Sequence, residues 1–459
     1  MIRTFKTTMK TNKNMTKTSQ SYQEVNKIPL DIKKNSKITF SKIKTTDFTH
    51  GIYTYPAKFV PQIAQWAINY TKSKSHDILL DPFCGSGTTL LESKISGINS
   101  YGIDKNPIAR LVSKVKTTTL FLNESALLTD TVDQLLHKIK NQKNLVKLEN
   151  QNDVNLHYNW KFWFQEETMR ELIHIKRIIR DFNFSSSKKI NDDLVDFFLV
   201  SLASSVKKVS YLDERQIKVK KDLEKVKNGT PTPYETFSSI SKKNVEMILK
   251  LNKKITESSN STVKIIGDDA RDIKLKNNSV DVIITSPPYL NAIDYPFAHK
   301  HELFILDLIT PNDYRPHSRE YIGVSERVLL TKMFNELHLT NISYVDKYIK
   351  NIFSKNPVDA NRAFIIYQYF TNMMKVMSEI HRVLKNNKYF VLVVGSNTIR
   401  NRYVPTHELL KKIAEEEIGF TTKTFFYHRM KKKKLGIPRN TTANIIPDDM
   451  IMVLQKNGD

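Results

Sequence analysis

Ile78-Leu79-Leu80-Asp81-Pro82-Phe83-Cys84-Gly85-Ser86-Gly87-Thr88-Thr89 passes from a short apolar run through a Gly-x-Gly turn into a helical pattern that continues to Ser96. An apolar run that stops at such a turn reads as a buried parallel strand, followed by the helix that crosses back over its sheet. Gly85 and Gly87 remove side chains at the turn, so backbone N–H groups and the helix N-terminus can approach the polar end of a ligand. A nucleotide, or a tight turn with no ligand, would use the same glycines. Ser100 to Ile103 is a second short strand, and Asp104 follows about 20 residues after the glycine loop, the spacing of a dinucleotide-type β-α-β unit. Its carboxylate can accept two ribose hydroxyl hydrogen bonds; capping the helix that opens at Asn106-Pro107 is the plainer use of the same side chain.

Downstream, strand signals resume at Val263 to Ile266, followed by Gly267-Asp268-Asp269-Ala270-Arg271, and then at Val280 to Ile284 before Thr285-Ser286-Pro287-Pro288-Tyr289. Asp269 can accept from an adenine amino group; Asp268 competes for that role, and a plain turn aspartate serves as well. The Pro-Pro corner at a strand end is rigid, and with a hydroxyl before it and an aromatic ring after it, it suits a planar group carrying an exocyclic amine. Together the two stretches suggest methyl transfer from S-adenosylmethionine (SAM) to a nucleobase amino group.

Between them, over 119–259, strand signals give way to long helical patterns; Leu172, Ile175, Ile179 and Phe182 share one face. Lys207 to Lys243, charge-rich with Gly229, Pro231 and Pro233, reads as a loop or linker. Beyond a mixed region, a helix is expected over Ala363 to Leu384 and a strand over Tyr389 to Val394. Phe425 to Arg429 and Met450 to Leu454 form a candidate closing antiparallel pair. The fold class is α/β, a doubly wound Rossmann-like sheet with a large helical insertion.

The chain has 459 residues and a net charge of 72 − 47 = +25, which favours a polyanionic partner. Its single cysteine, Cys84, excludes an internal disulfide and a cysteine-based zinc cluster and fits a reducing, prokaryotic cytoplasm. No apolar run approaches the ~18 residues that cross a bilayer, so no membrane partner is expected. The polar, Lys/Thr-rich start reads as a flexible arm. His299 and His301 lack the partners of a metal set, and none is expected.

These motifs resemble those of the amino-group DNA methyltransferases, the class I SAM-dependent enzymes that methylate cytosine N4 or adenine N6. DPFCGSGTT (Asp81 to Thr89) is similar to their motif I and TSPPY (Thr285 to Tyr289) to their catalytic motif IV. HGIYTYPAKF (His50 to Phe59) is similar to motif X, GIDKNP to motif II and GDDAR to motif III. The resemblance implies SAM as cofactor, held by Tyr55, Pro56, Lys58, Asp81, Phe83, Gly85, Gly87, Thr88, Thr89, Asp104 and Asp269. It implies double-stranded DNA with a flipped target base, stacked on Tyr289. Ser286 Oγ and the Pro287 carbonyl would accept from the amine, with Pro288 stiffening the corner. Ser at the first motif position resembles the cytosine-N4 enzymes. Adenine-N6 methylation, base-amine methylation of RNA and a catalytically silent DNA-recognition subunit are the alternatives. A cognate restriction endonuclease is the implied functional partner.

The expected organisation is a flexible basic arm (1–40), the SAM-binding half (41–118), the helical insertion (119–259), the catalytic part (260–299), a mixed insertion (300–360) and the C-terminal part of the methyltransferase domain (361–459). Either insertion could recognise the target, the second through Arg315, His317, Arg319 and Arg327. Lys431 to Lys434, flanked by Phe426, Tyr427 and His428, is a candidate backbone-contacting tip. Asp294 could add an acceptor near the amine.

Overall fold

The computed structural model describes residues 22–43, 45–58, 60–120, 125–142, 159–216, 219–256, 261–291, 293–323, 336–429 and 448–458. The chain opens with β1 (Gln23–Val25) and β2 (Ser36–Phe40), then α1 (Pro61–Tyr70), β3 (Ile78–Asp81), α2 (Thr88–Ile95), β4 (Asn99–Ile103) and α3 (Pro107–Thr117). A run of helices follows: α4 (Ser125–Asn141), α5 (Glu166–Asp181), α6 (Lys188–Val206), α7 (Leu223–Asn228) and α8 (Pro233–Thr256). The sheet resumes with β5 (Val263–Gly267) and β6 (Val280–Thr285). Next come α9 (Tyr295–Ala298), α10 (Lys300–Ile305), α11 (Pro311–Arg319), α12 (Ser343–Ile352) and α13 (Pro357–Val383). The chain closes with β7 (Leu384–Gly395), the small hairpin β8 (Asn397–Ile399) and β9 (Arg402–Val404), α14 (Thr406–Lys412), β10 (Phe420–Arg429) and β11 (Asp448–Lys456).

Nine strands form one sheet in the order β1-β2-β10-β11-β7-β6-β3-β4-β5. Every neighbouring pair is parallel except the two that involve β11, which runs against both β7 and β10. From β3 the chain moves outward to β4 and β5, then returns to the other side of β3 as β6. The order therefore reverses between β3 and β6, and a doubly wound sheet opens a crevice at the carboxyl ends of the strands at such a reversal.

Both faces of the centre of the sheet are covered, which is why β3, β6, β7 and β11 carry apolar runs, at 78–80, 282–284, 390–394 and 450–454. Val282, Ile284, Val391, Val393, Ile451 and Val453 pack with Ile63, Trp66 and Ala67 of α1. Their alternates Ile283, Phe390, Leu392, Met452 and Leu454 pack with Ile366, Phe370, Met373 and Met377 of α13. This is the period of two expected of a pleated strand. α13 begins six residues before the expected Ala363, because Asn356 caps it by accepting from Val358 N at 2.9 Å and Pro357 supplies the preset first turn.

Helices α4, α5, α6 and α8 form a layer whose core continues into α3 (Ile108, Val112, Val115), α10 (Leu303, Phe304) and the loop residues Ile52, Tyr53 and Tyr55. α8 takes over the end of the linker expected over Lys207 to Lys243, from Pro233 on; Phe237, Val245, Ile248 and Leu251 are a buried stripe hidden between charges. The flexible arm expected over 1–40 is also corrected over 22–40, the part that falls among the described residues. Residues 22–40 contain β1 and β2, and β2 pairs with β10 because Ile38 and Phe40, two apart, bury their side chains beside Trp66 and Phe426. Among the described residues, no helix is long and apolar enough to cross a membrane.

Candidate active site

The glycine loop is built from its own neighbourhood. Cys84 N donates to Ile103 O at 2.9 Å and Gly87 N to Cys84 O at 2.7 Å, while Ser113 Oγ donates to Gly85 O at 2.7 Å. Asp104 sits at the end of β4 and accepts from Gly85 N and Asn106 N, each at 2.8 Å. Burial pushes its carboxyl up to about 6. The two glycines have different jobs. Gly87 has φ +73°, and a Cβ there would lie 2.9 Å from Ser113 Oγ, so its bareness lets α3 close on the loop. Gly85, with φ +50°, borders the cleft.

The Pro-Pro corner at the end of β6 is held from afar. Thr285 Oγ1 donates to Asp81 Oδ1 at 2.6 Å, tying the ends of β6 and β3 together across the strand reversal. Asp81 also accepts from Phe83 N at 3.1 Å, and burial raises its carboxyl to about 6. Tyr289 OH donates to Asp449 Oδ1 at 2.6 Å, and Asn397 Nδ2 donates to Leu290 O at 2.6 Å. Gly323, at φ +78°, lies so close that a Cβ would meet Tyr289 O at 3.1 Å.

Loop and corner open onto one cleft of about 790 Å³, mouth included. Tyr55, Pro56, Lys58, Phe83, Gly85, Thr88, Asp104, Asp269, Ser286 and Pro288 line it. Asp81, Gly87, Thr89, Pro287 and Tyr289 do not; Asp81 and Gly87 support the residues that do, from beneath the surface. Asp269 is clamped by Arg271, which donates from Nε at 2.9 Å and from its NH2 group at 2.7 Å. Burial works to raise the Asp269 carboxyl, but this clamp outweighs it and holds it below its usual value. Asp268 instead pairs with Lys105 at 3.2 Å.

On the loop side, Lys58 Nζ donates to His50 O at 2.8 Å and Thr45 O at 3.2 Å. Tyr55 stacks on His299, ring centroids 4.8 Å apart. Burial pushes His299 down to about 4, so it is a neutral packing group, and His301 lies against Trp163 and Phe164. Among the described residues, no group of His, Cys, Asp or Glu could hold a metal ion.

Several expected contributors sit elsewhere. Asp294 caps α9, accepting from Phe297 N at 3.1 Å. Arg315 and Arg319 are exposed on α11, whereas His317 meets Tyr321 OH at 3.1 Å. Phe426 and His428, read as flanking a basic tip, are buried under the sheet because β10 alternates and these two face its core. Arg327 and Lys431 to Lys434 lie outside the described residues. Sequence reading missed the cleft residues Tyr295, Glu320 and Tyr321, and it missed Asp449, which no local motif marks.

A family profile described as DNA methylase, of the N6/N4 class, matches residues 2–114 and 280–459. The Type II methyltransferase M.MvaI of Kocuria varians is 27% identical over 427 residues, covering 90% of each chain. M.BsoBI of Geobacillus stearothermophilus is 25% identical over 440 residues, covering 87% of this chain and 84% of its own. Among solved structures, a SAM-dependent methyltransferase from Methanosarcina mazei covers 89% of this chain and 100% of its own at 10% identity, with a TM-score of 0.29. With more than half of its length matched by the profile, on both sides of the helical layer, the chain belongs to the N6/N4 DNA methylase family.

Proposed function

We propose that this chain methylates the exocyclic N4 amine of cytosine in double-stranded DNA, using SAM, as the modification partner of a restriction endonuclease. One observation carries the reading: Ser286 and the glycine loop share a single cleft at the strand reversal, so an amine held at the corner faces whatever the loop holds. The donor set fits SAM. The Asp104 carboxylate has lone pairs left for ribose hydroxyls, and Asp269 is kept ionised to accept from the adenine amine. Thr88 Oγ1, buried and without a protein partner, is a free hydroxyl beside the loop. SAM supplies an electrophilic methyl group on a sulfonium.

The corner prepares the nucleophile. Ser286 Oγ, in the cleft wall, accepts from the amine and draws its lone pair out of conjugation with the ring; the Pro287 carbonyl as second acceptor and Tyr289 as the ring that stacks on a base turned out of the duplex are roles taken from the family resemblance, since neither lines this cleft. Positioning and electrostatics then do most of the chemistry. No covalent adduct is needed, and Cys84 is unsuited to form one, because burial pushes its thiol well above the ordinary value. The serine at 286, in place of a carboxylate, favours cytosine N4. The net charge of +25 suits a phosphate backbone.

The test is transfer of an isotopically labelled SAM methyl group to unmethylated genomic DNA, with mass spectrometry of the released nucleosides. Labelled 4-methylcytosine is the expected result. 6-Methyladenine overturns the base assignment and keeps the mechanism; label only in RNA, or none, overturns the reading.

A further inference from the structure

Lys116, in the last turn of α3, is fully buried. An ammonium in a dry interior is costly unless an anion accompanies it. Among the described residues no carboxylate forms an ion pair with Lys116. Glu92, whose charge acts on it, is committed to His50 Nε2 at 2.6 Å and Gln65 Nε2 at 2.9 Å. The Lys116 ammonium instead donates to Ser86 Oγ at 3.2 Å. Ser86 is itself buried and borders the cleft between Gly85 and the start of α2. The next residue but one, Thr88, carries the buried hydroxyl that lacks a partner. Burial, with Lys58 adding to it, holds the Lys116 pKa well down, as expected of a cation short of counter-charge.

We propose that Lys116 is a cofactor-positioning residue, its ammonium acting through the Ser86 hydroxyl to recognise the carboxylate on the amino-acid end of the cofactor. The inference rests on the reading of the cleft as a SAM site and adds a buried residue to it. A hydroxyl has one donor and two lone pairs, so Ser86 accepts from Lys116 and turns its own O–H into the cleft. Thr88 Oγ1 donates beside it, and the first backbone N–H groups of α2 complete the set. The carboxylate gains charge-assisted hydrogen bonds, and the ammonium gains the anion that the protein does not provide.

Two probes separate this role from packing: S-adenosylhomocysteine, and 5′-methylthioadenosine, which keeps the adenosine and the sulfur but lacks the amino-acid end. Binding of each to the full-length protein is measured by calorimetry for wild type, Lys116→Met and Ser86→Ala, with thermal melts as folding controls. Lys116→Met should weaken S-adenosylhomocysteine about ten- to a hundredfold and leave methylthioadenosine within about twofold. Ser86→Ala, which keeps the lysine, should shift the same ratio in the same direction and decides the matter if Lys116→Met does not fold. Equal loss for both probes, or no loss for either, overturns the proposal. A wild-type protein that binds both probes equally well overturns it too, while leaving the cofactor reading intact. Failure of wild type to bind either probe removes the cofactor reading itself.

Discussion

The glycine loop and the Pro-Pro corner face the same cleft but are held in different ways. The loop's ties run to Ile103, Asp104 and Ser113, all within 30 residues of it. The corner is held by Asp81, Asp449, Asn397 and Gly323, with Asp81 separated from it by 204 residues and Asp449 by 160. A loop closed by its neighbours can form as one local unit, whereas the corner reaches its working shape only once β3, β6, β7 and β11 are side by side. The glycine loop is therefore locally encoded, and the corner depends on the assembled sheet.

The sharpest way to break this contrast is Gly87→Val. Strain at φ +73° and the close approach to Ser113 should together cost about 2–5 kcal/mol in urea denaturation and weaken S-adenosylhomocysteine binding more than DNA binding. A folded Gly87→Val protein that still bound S-adenosylhomocysteine would mean that the loop is not a packed unit. Next in size, Ser286→Ala should lower kcat about a hundredfold and leave S-adenosylhomocysteine affinity unchanged; a parallel loss of affinity would merge the two regions. Third, Asp449→Ala and Tyr289→Phe should each lower kcat/KM about tenfold, and the double variant should lose no more than either single one. Additive losses would show that Asp449 does not act through Tyr289.

The smallest effect is a pH dependence of stability. Burial raises the Asp449 carboxyl to about 6 from its ordinary 3.8, so the folded protein binds that proton before the unfolded chain does. Its ionisation therefore lowers stability as pH climbs from about 4 to 6, and the cost remains above that window. Asp449→Asn keeps an acceptor for Tyr289 and removes the charge. It should stabilise the protein by about 1–2 kcal/mol at pH 7.5 and by nothing measurable at pH 4, compared by urea denaturation at the two pH values. A gain of equal size at both would assign the effect to packing.

The same division governs how much of the molecule is legible in its sequence. The strand, glycine turn, helix and second strand over 78–103 were legible because each signal is local. The corner was legible as a motif, but its anchors were not, since nothing near Asp449 or Gly323 points to residue 289. β2 was lost in a Lys/Thr-rich stretch although Ile38 and Phe40 carry the two-residue period. The first part of α8, 233–243, was read as linker because Pro231, Pro233, Lys242 and Lys243 mask the start of an apolar stripe that packing against α4 and α6 reveals. Lys116 reads as one more surface lysine on a basic helix; only the fold shows that it points inward.

β11 runs opposite to every strand beside it, so it alone starts at the edge where β3, β4, β5 and β6 finish. At that edge Asp104, Asp269 and Ser286 each follow a strand that ends there. Asp449 is fixed instead by the strand of which it is the second residue, being paired to Gly395 on one side and His428 on the other before seven further strand residues. The corner's anchor is thus set by strand pairing to both neighbours, and not by where a preceding strand happens to end.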